Sequence, residues 1–225
     1  MPIHDWAWVF AGLFHSFHLS WVTEISRELN VCLLPSDHYA LIERAAGMPE
    51  DWWDFPTASG GGHVTDAVVE EEIYARKTRS IVIRRESDER TIARIELLSP
   101  GHKSSPSSLR AFLNRGVDAL TQGIHLLVID LYPPGPHNPQ RIHGALWSEI
   151  GKDNLALPSD KPLTVAAYSA GDVKCAYVET LGVGDVLPDM PLFLDPDHYI
   201  PVPLEATYRF AREAIPRRWR DVLEA

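Results

Sequence analysis

From Ile124 to Leu131 the chain reads Ile-His-Leu-Leu-Val-Ile-Asp-Leu, apolar almost without a break. A strand with one wet face alternates apolar and polar residues. A run this continuous is expected of a strand covered on both faces. The residues before it complete the unit. Ser105-Pro106 is a helix start, with Ser as the cap and Pro at the first helical position. Leu109, Phe112, Leu113, Val117 and Leu120 form the apolar stripe of that helix, and Gly123 ends it where a left-handed residue is needed. Thr91 to Leu98 reads as a strand ahead of the helix. Strand, helix and strand make a βαβ unit, which crosses over right-handed and leaves its strands parallel.

The rest of the chain extends this unit. Phe14, Phe17, Trp21, Ile25 and Leu29 fall on one face of a helix over residues 14–30. Strands are expected at Tyr39 to Glu43, Val68 to Tyr74 and Ser80 to Arg85. The last of these pairs antiparallel with Thr91 to Leu98 across a short polar turn. Ala45 to Thr65, with Trp52, Trp53 and three consecutive glycines, reads as a long loop. A short helix is expected over residues 140–150. Leu163 to Ser169 and Lys174 to Leu181 read as another antiparallel pair. Leu187 to Pro203 is proline-rich and extended, Leu204 to Ile215 is helical, and Pro216 opens a last helix carrying Trp219. The expected class is α/β: a mixed central sheet with flanking helices, built on a βαβ core, with antiparallel C-terminal strands. At 225 residues the chain suits one domain over 1–225, with its core at about 14–131 and an extension over 132–225 packed on it.

Charge and cysteines narrow the classes of function. Acidic residues outnumber basic ones 31 to 21, a net charge of −10. That field repels a phosphate backbone at long range and disfavours strong non-specific nucleic-acid binding. Cys32 and Cys175 form no metal-binding spacing and are expected to be buried free thiols, which suits a reducing cytoplasm. The N-terminus lacks the pattern of a signal peptide. The uncharged run from Trp6 to Phe14 falls well short of the ~20 residues of a membrane span. The expectation is a cytoplasmic protein with no membrane partner.

Glu96 is the residue whose position asks for chemistry. It lies in Ile95-Glu96-Leu97-Leu98, where alternation puts Glu96 and Leu98 on one face and Ile95 and Leu97 on the other. A carboxylate in an apolar strand needs a partner: a metal, a cation or backbone donors. Gly101-His102-Lys103-Ser104-Ser105 follows, joining the strand's carboxyl end to a helix amino terminus. Ligands of α/β folds bind there, free N–H groups attract anions, and Lys103 adds a charge. A metal-holding carboxylate beside an anion pocket suits phosphodiester chemistry, with a phosphate-containing ligand. The plainer reading pairs Glu96 with Arg94, Arg84 or Arg110 and leaves the loop as a capped turn.

The segments IARIELLSPGHK (92–103) and LRAFLNRGVDALTQGIHLLVIDLYPPG (109–135) resemble the bacterial family called domain of unknown function 4058. So do MPIHDW, KPLTVAAYSAG, LPDMPLFLDPDHYIPVPLEATY and RRWRDVL, which together span nearly the whole chain. That resemblance implies no activity of its own. The order helix, strand, acidic loop, strand ending in Glu, helix, strand is also similar to the PD-(D/E)xK nuclease-like superfamily. This second resemblance implies Mg²⁺ or Mn²⁺ held by Glu96 and by Asp51 or Asp54, and a catalytic lysine that positions water, a role Lys103 would take from the neighbouring loop. Two departures stand out: Leu98 occupies the usual lysine position, and Glu50 separates Pro49 from Asp51. The alternative is a catalytically inactive binding or interaction module, in which the Trp52-Trp53 loop and the Gly101 to Ser105 pocket recognise a partner protein or a small anion.

Other residues carry less. His15 and His18 share a helix face as potential metal ligands, with ordinary helix histidines the plainer reading. Asp130, at a strand end where α/β folds often place a catalytic acid, reads either as such an acid or, more plainly, as a cap for the Tyr132-Pro133-Pro134 turn. Lys103, Arg110 and Arg115 read as part of a solvated basic helix face. Gly182-Val183-Gly184 lacks the third glycine and the helix of a dinucleotide fingerprint.

Overall fold

Six strands make one mixed sheet in the order β1 (His38–Arg44), β2 (Arg79–Arg85), β3 (Thr91–Leu97), β4 (His125–Asp130), β5 (Leu163–Ser169) and β6 (Cys175–Leu181). The computed structural model describes residues 3–44, 79–151 and 157–223. Only β3 and β4 run parallel; the other neighbours are antiparallel. The helix between the parallel pair, α1 being Ala11–Glu28, is α2 (Pro106–Thr121). Ser105 Oγ accepts from the Ser108 amide at its start, and Gly123, with φ +77°, follows its end. All six residues of β4 are buried, as its continuous apolar run requires.

Helices α3 (Arg141–Glu149), α4 (Leu204–Glu213) and α5 (Arg217–Leu223) complete the described helices. One sheet face carries Ile81, Ile83, Ile95, Leu97, Leu127, Ile129 and Val165, packed under α1 and α4. The other carries Leu126, Val128, Ala166 and Tyr168 under α2 and α3. Helix α1 presents its expected stripe inward, from Phe14 to Leu29. Trp6, Phe17 and Tyr208 interlock there: the Trp6 and Phe17 rings stack at 4.2 Å, and the Tyr208 hydroxyl accepts from Trp6 Nε1 at 3.1 Å. Gly116 of α2 lets α3 approach, because a Cβ there would meet Leu146 at 2.9 Å.

Several expectations need correction. The first helix starts at Ala11 and closes in a wider π-helical turn over Leu29–Leu33, where the Leu34 amide bonds to Leu29 O. Asn30, in that turn, bonds both backbone groups of Ala40 and so caps the outer edge of β1. The proline-rich extended segment folds as a separate hairpin, β7 (Asp189–Phe193) with β8 (Tyr199–Pro203). Both cysteines are free but exposed rather than buried. Cys32 sits in the turn beyond α1 and Cys175 opens the edge strand β6, where no second layer covers them. The strand expected at Val68 to Tyr74 and the Trp52-Trp53 loop lie outside the described residues. Among the described residues, no helix is long and apolar enough to cross a membrane.

Candidate functional site

Parallel strands β3 and β4 end side by side, and the residues singled out around Glu96 divide there into two groups. Strand alternation puts Glu96 on the α2 face, directly opposite Ser80 of β2 and Val128 of β4. Arg94, two residues earlier, shares that face, and Arg115 of α2 comes near enough for its charge to act on Glu96. Glu96, Arg94 and Arg115 are all partly exposed. Burial pushes the Glu96 carboxyl up, against the opposing pull of Arg115 and then Arg94. Arg115 is itself pushed down by burial and by Arg94, which outweigh the attraction of Glu96. Among the described residues no hydrogen bond or close ion pair reaches the Glu96 carboxylate.

The cations named as plainer partners of Glu96 are mostly spent elsewhere. Arg84 donates to Glu43 at 2.7 Å, and Arg110 to Glu149 at 2.6 Å. Arg94 acts on Glu96 only at a distance, without the ion pair expected of it. Arg115, expected on a solvated strip, is instead the largest charge acting on Glu96. Leu98, at the position where the superfamily resemblance places a lysine, is buried with Leu109 and Phe112 in the core beneath α2.

Lys103 belongs to a different group. Its Nζ lies 2.6 Å from Asp130 Oδ1 and donates to Tyr132 O at 2.7 Å. The two side chains are only 7% and 2% exposed. The solvated basic strip is therefore not formed, since Lys103 turns inward after the 3-10 turn Pro100–Lys103. Asp130 also accepts from the Tyr132 amide, the turn cap expected of it. Burial raises the Asp130 carboxyl, and Lys103 opposes that rise. Glu96 is not among the charges acting on Asp130, nor Lys103 among those acting on Glu96.

Two histidines line the same end of the sheet. His18 Nε2 donates to Leu97 O at 3.0 Å, which leaves Nδ1 buried without a partner. Burial lowers its pKa to about 4. His102 Nδ1 accepts from the Ser99 amide at 3.0 Å, and burial lowers its pKa to about 3. Both imidazoles are neutral at pH 7. The His15 ring stacks on that of His18, with centroids 6.4 Å apart. Among the described residues no three His, Cys, Asp or Glu side chains group to hold an ion.

Among the described residues the donor set expected for Mg²⁺ or Mn²⁺ is represented by Glu96 alone. Asp51 and Asp54, the carboxylates expected beside Glu96, lie outside the described residues. Within those residues the charges acting on Glu96 are those of Arg115 and Arg94, which oppose a cation. An open cleft at the opposite end of β4, lined by Gln122, Gly123, Asp172 and Lys174, touches none of these groups. Comparisons with protein-family models, with curated proteins and with solved structures find no match.

Proposed function

We propose that this chain is a recognition module on a nuclease-like α/β core, one that binds its ligand without hydrolysing it. The observation that supports this reading is the buried Lys103–Asp130 pair. A lysine that positions water must present its ammonium to the reacting phosphate. Here the ammonium is held by a carboxylate and a carbonyl inside the protein. The usual lysine position is filled by Leu98, which packs in the core. The net charge of −10 opposes a long nucleic-acid ligand.

A second reading is a metal-dependent phosphodiesterase, with Mg²⁺ or Mn²⁺ held by Glu96 together with Asp51 or Asp54. One observation favours it: the Glu96 carboxylate is desolvated yet bonded to no described group. One experiment separates the two. Wild type and Glu96→Ala are titrated calorimetrically with Mn²⁺ and then assayed on a chromogenic phosphodiester. The recognition reading expects no turnover in either protein. Mn²⁺-dependent turnover that Glu96→Ala abolishes would overturn it and establish the enzyme.

A further inference from the structure

On the α2 face of β2 and β3, the charges of the described residues do not balance. Arg84 is neutralised by Glu43. Among the described residues Arg94 and Arg115 then share one carboxylate, Glu96, and neither guanidinium closes on it to ion-pair distance. The pull of Glu96 on Arg115 is outweighed by burial and by the like charge of Arg94. Three buried polar atoms on this face lack hydrogen-bond partners: Ser80 Oγ, in a residue 1% exposed, Arg94 Nε and Arg84 Nε. Ser80 stands directly across the ladder from Glu96, so its hydroxyl and the Glu96 carboxylate share one face. A desolvated hydroxyl and a desolvated guanidinium N–H left unbonded are costly, and their cost falls when an acceptor arrives. Arg94 and Arg115 are both partly exposed residues. The Phe112 ring lies 5.9 Å from the Arg115 guanidinium carbon and supports it from α2.

We propose that Arg94, Arg115 and Ser80 form a binding site for an oxyanion group, a phosphate or a carboxylate, with Glu96 as the built-in competitor for the two arginines. The site gives the recognition reading its ligand class and rests on that reading. Guanidiniums suit both groups, because their forked N–H donors match two oxygens of a phosphate or a carboxylate. Glu96 restrains affinity: it holds part of the positive potential until a ligand outcompetes it. A metal site would have the opposite dependence on Glu96, since there the carboxylate is the ligand. No hydrolysis is involved, and no group outside the described residues is needed.

The test is calorimetric titration with inorganic phosphate and, separately, with acetate, in EDTA so that no divalent ion contributes. The expected result is saturable binding of at least one of them. Arg115→Gln should weaken it by about tenfold or more, and Glu96→Gln should strengthen it severalfold, as expected for losing a charged donor and a competitor respectively. Whichever anion binds more tightly identifies the source of the oxyanion. Arg94→Gln serves in place of Arg115→Gln should the latter fail to fold, as judged by circular dichroism. Two results would overturn the site: no saturable binding of either anion to wild type and Glu96→Gln, or binding that a folded arginine variant leaves unchanged. Phosphodiester turnover with Mn²⁺ sinks the recognition reading alone, because these titrations contain no metal.

Discussion

Replacing Lys103 by Met tests whether its ammonium is a structural charge. The Nζ atom lies 2.6 Å from Asp130 Oδ1 and 2.7 Å from Tyr132 O, with both side chains almost excluded from water. At an effective dielectric of 20, two unit charges 2.6 Å apart attract by about 6 kcal/mol before desolvation is counted. Desolvation offsets much of that, so the pair as a whole contributes little net stability. Removing one partner is different, because Asp130 is then left buried without its cation. Its carboxyl is already raised by burial, and Lys103 is the main influence opposing that rise. The expected loss for Lys103→Met is about 3–5 kcal/mol. Lys103→Met combined with Asp130→Asn should lose far less than the sum of the single losses, since no charge is stranded. The amide oxygen introduced by Asp130→Asn keeps an acceptor for the Tyr132 N–H. The assay is urea unfolding at pH 7 of wild type, both single variants and the double, followed by tryptophan fluorescence. A coupling of about 2 kcal/mol or more between the sites supports a buried structural pair. A Lys103→Met protein within about 1 kcal/mol of wild type, or additive losses, would refute the reasoning.

Two further perturbations follow from buried polar groups. His18 and His102 titrate at about 4 and about 3 in the folded chain, against 6.5 for a free imidazole. Their stability contribution is therefore fully present above pH 6.5 and falls with acidification, since the unfolded chain then binds more protons. Each imidazole costs about 1.4 kcal/mol per pH unit across that window. Between pH 6.5 and 4.5 the two together should remove about 5 kcal/mol, and His18→Gln should remove about half of that slope. The raised carboxyls of Glu96 and Asp130 act in the opposite sense, but they are common to both proteins and cancel in the difference. Equal pH slopes for wild type and His18→Gln in urea unfolding would contradict the assignment. Tyr208→Phe should cost about 3 kcal/mol, because its hydroxyl serves the Trp6 indole, the His4 amide and His4 Nδ1 inside the aromatic cluster. Thermal unfolding within a degree of wild type would show that these bonds are replaced.

Local pattern made most of the architecture legible, and position along the chain explains why. The apolar run of β4, the Ser105-Pro106 start of α2 and the short turn between β2 and β3 each act within a few residues. The hairpin of β7 and β8 was hidden because Pro191, Pro201 and Pro203 remove strand donors, and such strands survive only where those positions need none. The exposure of Cys32 and Cys175 was equally illegible, since it depends on where covering layers stop.

The candidate site was legible in its parts and illegible in its pairing. Strand alternation alone marked Glu96 as a carboxylate in need of a partner, and the same reasoning applied to Ser80 would have placed the two on one face. The sequence by itself determined which residues alternate, where helices begin, and that an α/β sheet must enclose β4, because backbone periodicity and capping are short-range. Only the tertiary structure decided that Lys103 turns inward to Asp130, that Arg84 and Arg110 answer other carboxylates, and that Arg115 comes down beside Glu96. Which charge meets which depends on chain crossing and burial, where a few ångströms of separation and the loss of water change an interaction severalfold.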